Sequence, residues 1–348
     1  SYGIGATVYL TTRFGTQTRR VSLSSGFMSA NEPLVHFGLG NETVAESLRV
    51  DWPSGHSQSF TNVAANQWLT ITEPASPPTP DVKGQANQTG WFRAVPLLTN
   101  AVHREQDFDE FSREPLRPWG HSRLGPGLAC GDVNGDGRED IYLAGAAGTA
   151  GSLWVQEINH QFTELPCPVF QEDAAAEDLG AVFFDLDGDD DLDLYVVSGG
   201  VECAEGEAIL SDRLYLNDGR GGLTKAGDGL LAPDADSGST VVAADFDRDG
   251  DVDLFVEGRG VPGRYPRPGR NRLLRNEAGK LVDVTDRLAP GLRETGMVTS
   301  AVWSDVDNDG WLDLLLDHEW GRIRYFKNRD GKFEEVPPGT CGLLRTGW

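Results

Sequence analysis

From Tyr2 to Glu73 apolar and polar residues alternate in short stretches, "ATVYLTT", "SLRVDWP" and "QWLTITE", separated by Gly, Asn and Ser. Strict alternation predicts half-buried strands, and together they predict a small antiparallel β domain over residues 1–73. The pattern then breaks at "EPASPPTPD" (Glu73–Asp81), which holds four prolines in nine residues. Such a stretch stays extended and semi-rigid, so residues 74–84 are expected to be a linker.

From residue 85 to 348 the hydrophobic pattern repeats. An apolar run comes first, as in "AVFF" (Ala181–Phe184), "TVVAA" (Thr240–Ala244) and "TSAVWS" (Thr299–Ser304). An acidic loop follows, then a strongly β-patterned run, "IYLA", "LYVV", "LFVE" or "LLLD". A glycine hairpin closes the unit, as in "LYLNDGRGGL" (Leu214–Leu223). The first aspartates of the four loops, Asp132, Asp185, Asp245 and Asp305, are 53, 60 and 60 residues apart. Four strands per unit at that period predict β-propeller blades, so the fold class is all-β.

The loops read "DVNGDGRED", "DLDGDDDLD", "DFDRDGDVD" and "DVDNDGWLD". Their first, third, fifth and ninth positions are side-chain oxygens in every copy. These are Asp132, Asn134, Asp136 and Asp140; Asp185, Asp187, Asp189 and Asp193; Asp245, Asp247, Asp249 and Asp253; and Asp305, Asp307, Asp309 and Asp313. The seventh position (Arg138, Asp191, Asp251, Trp311) varies freely, as expected where only a backbone carbonyl is used. Hard oxygens from one turn suit Ca²⁺, which takes six to eight of them, and about four structural ions are expected. Glycine at the sixth position (Gly137, Gly250, Gly310) fits a turn needing positive φ, and Asp190 holds that place in the second copy.

An EF-hand would need a glutamate at position 12 and a following helix. Here position 12 is Leu143, Val196, Val256 and Leu316, each inside a β-patterned run. A solvated acidic turn would account for one such loop, but four in register between strands would repel themselves without a cation. At a dissociation constant of ~0.1 mM and calcium of ~10 mM, each site would contribute about 2.7 kcal/mol. Sites that weak fill only where calcium is millimolar, outside the cytoplasm.

The formal net charge is −24, which disfavours nucleic acid as a partner. Eighteen aspartates lie in the four loops. No apolar run is long enough for a membrane-spanning helix. The first residue is Ser1, so the chain reads as processed or truncated and the lack of a leader says nothing about secretion. The cysteines Cys130, Cys167, Cys203 and Cys341 lack zinc-site spacing; buried thiols are expected, with a Cys167–Cys203 disulfide as the alternative. The six histidines show no ligand spacing, and no nucleophile elbow, Walker loop or Cys–His arrangement occurs.

With these residues laid out, two families are recognisable. The loops and blades resemble FG-GAP/VCBS repeats. Residues 1–73 look like the ASPIC/UnbV domain through "GIGATVYL" (Gly3–Leu10), "HFGLG" (His36–Gly40), "LRVDWPSG" (Leu48–Gly55) and "NVAANQWLTI" (Asn62–Ile71). The combination is that of cartilage-acidic-protein-like proteins and their bacterial relatives. The resemblance implies a secreted or cell-surface protein and a propeller of about seven blades. Only four loops are present, so an open, incomplete propeller continuing beyond Trp348 is expected, with a closed four-blade ring as the alternative.

The expected function is a calcium-stabilised extracellular, periplasmic or cell-surface binding or adhesion module without catalysis of its own. The alternative is a polysaccharide lyase or hydrolase on a propeller scaffold, sensitive at Asp109 or Arg264. A protein or glycan ligand would meet "GRGVPGRYPRPGRNR" (Gly258–Arg272) through Arg259, Arg264, Arg267, Arg270 and Arg272, by guanidinium pairing with anionic groups. The bland reading is that these arginines offset neighbouring aspartates. "HREQDFDEFSRE" (His103–Glu114) groups His103, Glu105, Asp107, Asp109 and Glu110, and is expected to be a blade-closing strap with exposed charges rather than an acid–base pair. Packing roles are expected for His36 and Trp52.

Overall fold

The computed structural model describes residues 4–21, 34–74, 98, 101–115 and 117–341. The chain divides into two compact units, residues 1–94 and 95–347. Apart from Glu73 and Pro74, the proline-rich stretch lies outside the described residues, as do Leu343–Trp348.

The first unit is one antiparallel sheet of β1 (Thr7–Thr12), β2 (Gly15–Arg20), β3 (Val44–Asp51) and β4 (Ser57–Ala64), in the order β2-β1-β3-β4. Alternation in β1 places Val8 and Leu10 opposite Val50 and Leu48 of β3. With Ala6, Val21 and Ala45 they form the core, and Trp52 packs against its edge. The Trp52 indole donates to Gln58 (2.6 Å), and its backbone closes the turn to Gly55 and His56. His36 is exposed, so the packing role expected for it is not seen. "QWLTITE" forms no strand. Only Ile71 of that stretch reaches the core, while Trp68 is 87% exposed, so one apolar contact does not hold it against the sheet.

The second unit holds four further four-stranded antiparallel sheets. The first blade is β5 (Leu128–Gly131), β6 (Asp140–Leu143), β7 (Ser152–Gln156) and β8 (Phe162–Leu165). The second is β9 (Glu177–Phe184), β10 (Asp193–Gly199), β11 (Arg213–Leu216) and β12 (Thr224–Lys225). The third is β13 (Gly238–Ala244), β14 (Asp253–Gly258), β15 (Arg272–Asn276) and β16 (Leu281–Asp283), and the fourth is β17 (Met297–Ser304), β18 (Asp313–Glu319), β19 (Arg324–Arg329) and β20 (Lys332–Glu335). In each, sequence-adjacent strands pair in a meander, which is the arrangement of propeller blades. Position 12 of every acidic loop falls inside the second strand, as the sequence pattern requires.

The first strands stand side by side: β5 against β9, β9 against β13 and β13 against β17. No comparable contact joins β17 to β5 among the described residues, so the blades form an open arc and not a closed four-blade ring. The approach is close enough to need glycine. A Cβ on Gly180 of β9 would lie 2.7 Å from the Ser239 carbonyl and 2.9 Å from Thr240 Cα. The hydrophobic cores lie between blades. Val133 and Tyr142 meet Phe183 and Leu194, Leu186 and Tyr195 meet Val241 and Leu254, and Phe246 and Phe255 meet Val298 and Leu314. This is why the second strands are continuous apolar runs: β10 and β14 are buried along their whole length, between neighbours on both faces. A buried hydrogen bond and a buried ion pair cross the same seams. Asp178 of β9 accepts from Tyr142 of the first blade (2.9 Å) and pairs with Arg213, and Asp212 accepts from Tyr195 (2.7 Å) and pairs with Arg272 of the third.

Candidate metal centres

The four acidic loops share one backbone plan. The first aspartate receives the backbone N–H of the sixth residue: Gly137 on Asp132 (2.7 Å), Asp190 on Asp185 (3.1 Å), Gly250 on Asp245 (3.2 Å) and Gly310 on Asp305 (2.9 Å). The seventh residue's N–H donates to the fifth side chain, so position 7 is held by its backbone whether Arg138, Asp191, Asp251 or Trp311 stands there. The ninth aspartate reaches back to the N–H of the second residue, at 3.1–3.2 Å in all four copies. Asp140, Asp193, Asp253 and Asp313 are thereby buried at the start of the second strands.

The sixth position has positive φ throughout, Asp190 included (+68°). The fourth position does too: Gly135 (+72°), Gly188 (+78°), Arg248 (+62°) and Asn308 (+57°). Sequence reading missed this second left-handed residue, although glycine or asparagine at three of the four positions was a signal for it.

Three loops bring three carboxylates together, with one oxygen from each within 4.8 Å of the others. They are Asp185, Asp187 and Asp189; Asp245, Asp247 and Asp253; and Asp305, Asp307 and Asp313. The cost of burying and crowding carboxylates is visible in the proton affinities of the 185–193 and 245–253 loops. Burial pushes Asp253 up to about 8, partly offset by the Asn276 and Phe246 N–H groups and reinforced by Asp247 and Asp249. Burial likewise pushes Asp193 up to about 6, and Asp187 and Asp191 are raised by burial and their neighbouring carboxylates. Clustered carboxylates with a backbone carbonyl at position 7 are a donor set suited to a hard divalent cation, Ca²⁺ by preference. The 132–140 loop shares the backbone plan but gathers no such trio, and the Arg138 guanidinium pairs with Asp136. Basic residues approach two others: Arg275 lies 3.7 Å from Asp247, and Lys327 pairs with both Asp307 and Asp309.

The arginine-rich loop follows the bland reading. Arg259 is buried and paired with Glu319, Arg264 and Arg267 both meet Glu205 (2.5 and 3.5 Å), Arg270 meets Asp236 (2.9 Å), and Arg272 is buried between Asp212 and Asp234. All five offset acidic groups of the protein itself.

The strap crosses every blade. The His103 ring meets the Ala144 carbonyl (3.2 Å), and Arg113 donates to the carbonyls of Val201 (3.0 Å) and Cys203 (2.8 Å). Glu114 accepts from Tyr265 N–H (2.6 Å), and His121 lies 3.3 Å from Glu319. Its charges are not all exposed as expected. Glu110 is 3% exposed and accepts from His121 N–H (2.7 Å) and from the Ser122 N–H and hydroxyl, beside buried Arg117 (3.2 Å). Asp109 caps the short helix α1 (Glu110–Arg113), accepting from Ser112 N–H. Cys130, Cys167 and Cys203 are free thiols, Cys130 exposed and not buried as expected, so no Cys167–Cys203 disulfide is present. The Cys341 side chain lies outside the described residues.

Residues 1–78 match the family described as ASPIC and UnbV, and residues 132–196 and 204–256 match the FG-GAP-like repeat. Cartilage acidic protein 1 of Mus musculus is 28% identical over 202 residues, 56% of this chain and 29% of the relative, so this chain spans under a third of that protein's length. Among solved structures, BBS1N in complex with ARL6DN aligns over 61% of this chain and 56% of that one, at 11% identity and a TM-score of 0.37. A protein from Lactobacillus plantarum aligns over 96% and 81%, at 11% identity and a TM-score of 0.35. Likeness at such TM-scores carries no argument. The family matches do, and with the blade geometry they establish that this chain carries an ASPIC and UnbV domain followed by FG-GAP-like repeats.

Proposed function

We propose that this chain is an extracellular, calcium-stabilised binding module whose ions fix the propeller blades, and that it acts through a protein or glycan ligand without a catalytic step of its own. The observation that carries this reading is the gathering of three carboxylates in each of the 185–193, 245–253 and 305–313 loops. At millimolar external calcium such sites fill and each contributes a few kcal/mol. The ligands would be the carboxylates at positions 1, 3, 5 and 9 and the position-7 carbonyl. In the 132–140 loop Asn134 replaces one carboxylate, so that site is weaker, in keeping with its missing trio. The match to FG-GAP-like repeats and the likeness to cartilage acidic protein 1 support the binding role.

Calorimetric titration of the chelated chain tests the metal reading. Three ions are expected to bind more tightly than a fourth, with one lost for each of Asp185→Asn, Asp245→Asn and Asp305→Asn. Heat no greater than that of dilution would overturn it.

A further inference from the structure

One contact recurs at each junction between described blades. The asparagine at the end of the third strand sends its side-chain amide to the preceding blade's acidic loop. Asn217 Nδ2 donates to the Val133 carbonyl (2.8 Å), Asn276 Nδ2 to the Leu186 carbonyl (2.7 Å) and Asn328 Nδ2 to the Phe246 carbonyl (2.8 Å). Val133, Leu186 and Phe246 are all position 2 of their loops, between the candidate ligands at positions 1 and 3. The N–H of the same residue is held by the loop's own ninth aspartate. Position 2 is therefore clamped from both sides, once from within the blade and once from the next.

The same asparagine also serves its own blade, and the Nδ2 of Asn217 and of Asn328 reaches a second carbonyl in its own loop, Leu192 (3.1 Å) and Leu312 (3.0 Å). The Asn276 backbone N–H donates to Asp253 Oδ1 (2.8 Å) and its Oδ1 accepts from Gly279 N–H (2.9 Å); Asn328 does the same with Asp313 (2.8 Å) and Gly331 (2.9 Å). One residue thus touches the ninth aspartate of its own loop, its own hairpin and the peptide beside the position-3 ligand of the neighbouring loop. Asn276 and Asn328 are fully buried, so their amides have no water to fall back on. Among the described residues no latch reaches the fourth loop. Val306, its position 2, is 41% exposed, and among the described residues no side-chain amide meets its carbonyl.

We propose that Asn217, Asn276 and Asn328 are positioning residues that set the ion affinity of the preceding blade's loop, so that occupancy of one loop and seating of the next blade reinforce each other. This rests on the calcium reading above. The coupling is reciprocal: whatever seating the next blade adds to the affinity of a loop, the ion returns to that seating.

The test is calorimetric calcium titration of the whole chain carrying Asn276→Asp. This change keeps the acceptor for Gly279 and removes the donor to Leu186, and its added negative charge would by itself attract calcium. The expected result is that one site weakens about fivefold to tenfold, the loss of roughly one buried hydrogen bond, while the others hold. In a chain already carrying Asp185→Asn, adding Asn276→Asp is expected to leave the remaining sites unchanged. Asn328→Asp is expected to weaken the 245–253 site instead, with a smaller effect on its own 305–313 loop, where it also removes the donor to the Leu312 carbonyl. Asn217→Asp, at a half-buried position, makes the same test on the 132–140 loop should either buried variant fail to fold. Unchanged or tighter binding, or an equal fall in melting point with and without calcium at unaltered affinities, would overturn the coupling and leave the asparagines as blade fasteners. Failure of the unaltered chain to bind calcium would overturn the metal reading itself and this inference with it.

Discussion

Lys327 Nζ lies 3.0 Å from Asp309 Oδ2 and also bonds to Asp307, so an ammonium sits among the carboxylates of the fourth loop. It holds Asp309 below the usual carboxylate range, together with the Trp311 N–H that is the larger cause. An amine here offsets part of the loop's charge when calcium is absent and competes when calcium arrives. Lys327→Met is expected to tighten calcium at this loop severalfold, because the ammonium competes with the ion for the same carboxylates. It should also lower the melting point of the chelated chain slightly. Titration of the variant against the unaltered chain reads both effects, and unchanged affinity would remove Lys327 from the account.

Glu110 is the anchor of the strap. Its carboxylate takes three hydrogen bonds and faces the buried Arg117 guanidinium. Glu110→Ala would leave that cation with Glu114 as its only described carboxylate partner and two N–H groups unsatisfied, at a cost of about 3–5 kcal/mol. Glu110→Gln keeps most of the hydrogen bonds and should cost less. Gly120→Ala tests the same seat, since a Cβ there would lie 2.6 Å from Glu110 Oε1. Chemical denaturation measures the losses, and a strap that only rests on the blades would show none of them.

Glu257 gives the fold a pH dependence of definite sign. Burial pushes its carboxyl up to about 8 from 4.5; Ser239 and Arg259 oppose the shift and Asp317 adds to it. Between those values the folded chain keeps a proton that the unfolded chain has released. The contribution to stability is therefore complete below the unfolded value and is lost as pH rises towards 8. Glu257→Gln, which stays neutral, is expected to match the unaltered chain at about pH 4 and to melt higher than it at about pH 8.5. Glu177, also pushed up to about 8 by burial and then by Glu105, Glu202 and Asp178, should behave alike. A Glu257→Gln difference that does not vary with pH would contradict the assignment.

The loops and blades were legible because their signal is local. Alternate aspartates and a glycine at a fixed offset specify the turn, and the run after it specifies the strand. Arg248 at a left-handed position was not legible, because the turn imposes that conformation on whatever residue stands there. The asparagine latch was hidden by variable spacing. Asn217, Asn276 and Asn328 lie 24, 23 and 15 residues after the ninth aspartates they touch, since the connection between second and third strands differs in length. The pairing of Arg272 with Asp212 spans 60 residues and two blades, so a linear reading showed five arginines and none of their partners. "QWLTITE" had the alternation of a strand but no neighbour to pair with, which only the fold decides.

The most direct test of the central claim is the melting temperature of the chelated chain as calcium is raised to millimolar levels, with magnesium as the control. If the acidic loops are structural cages, the midpoint should climb by roughly ten degrees or more, about what three sites of a few kcal/mol each would give in a unit of this size. Magnesium should do far less, and the climb should shrink in Asp245→Asn. A midpoint that does not move with calcium would contradict the account.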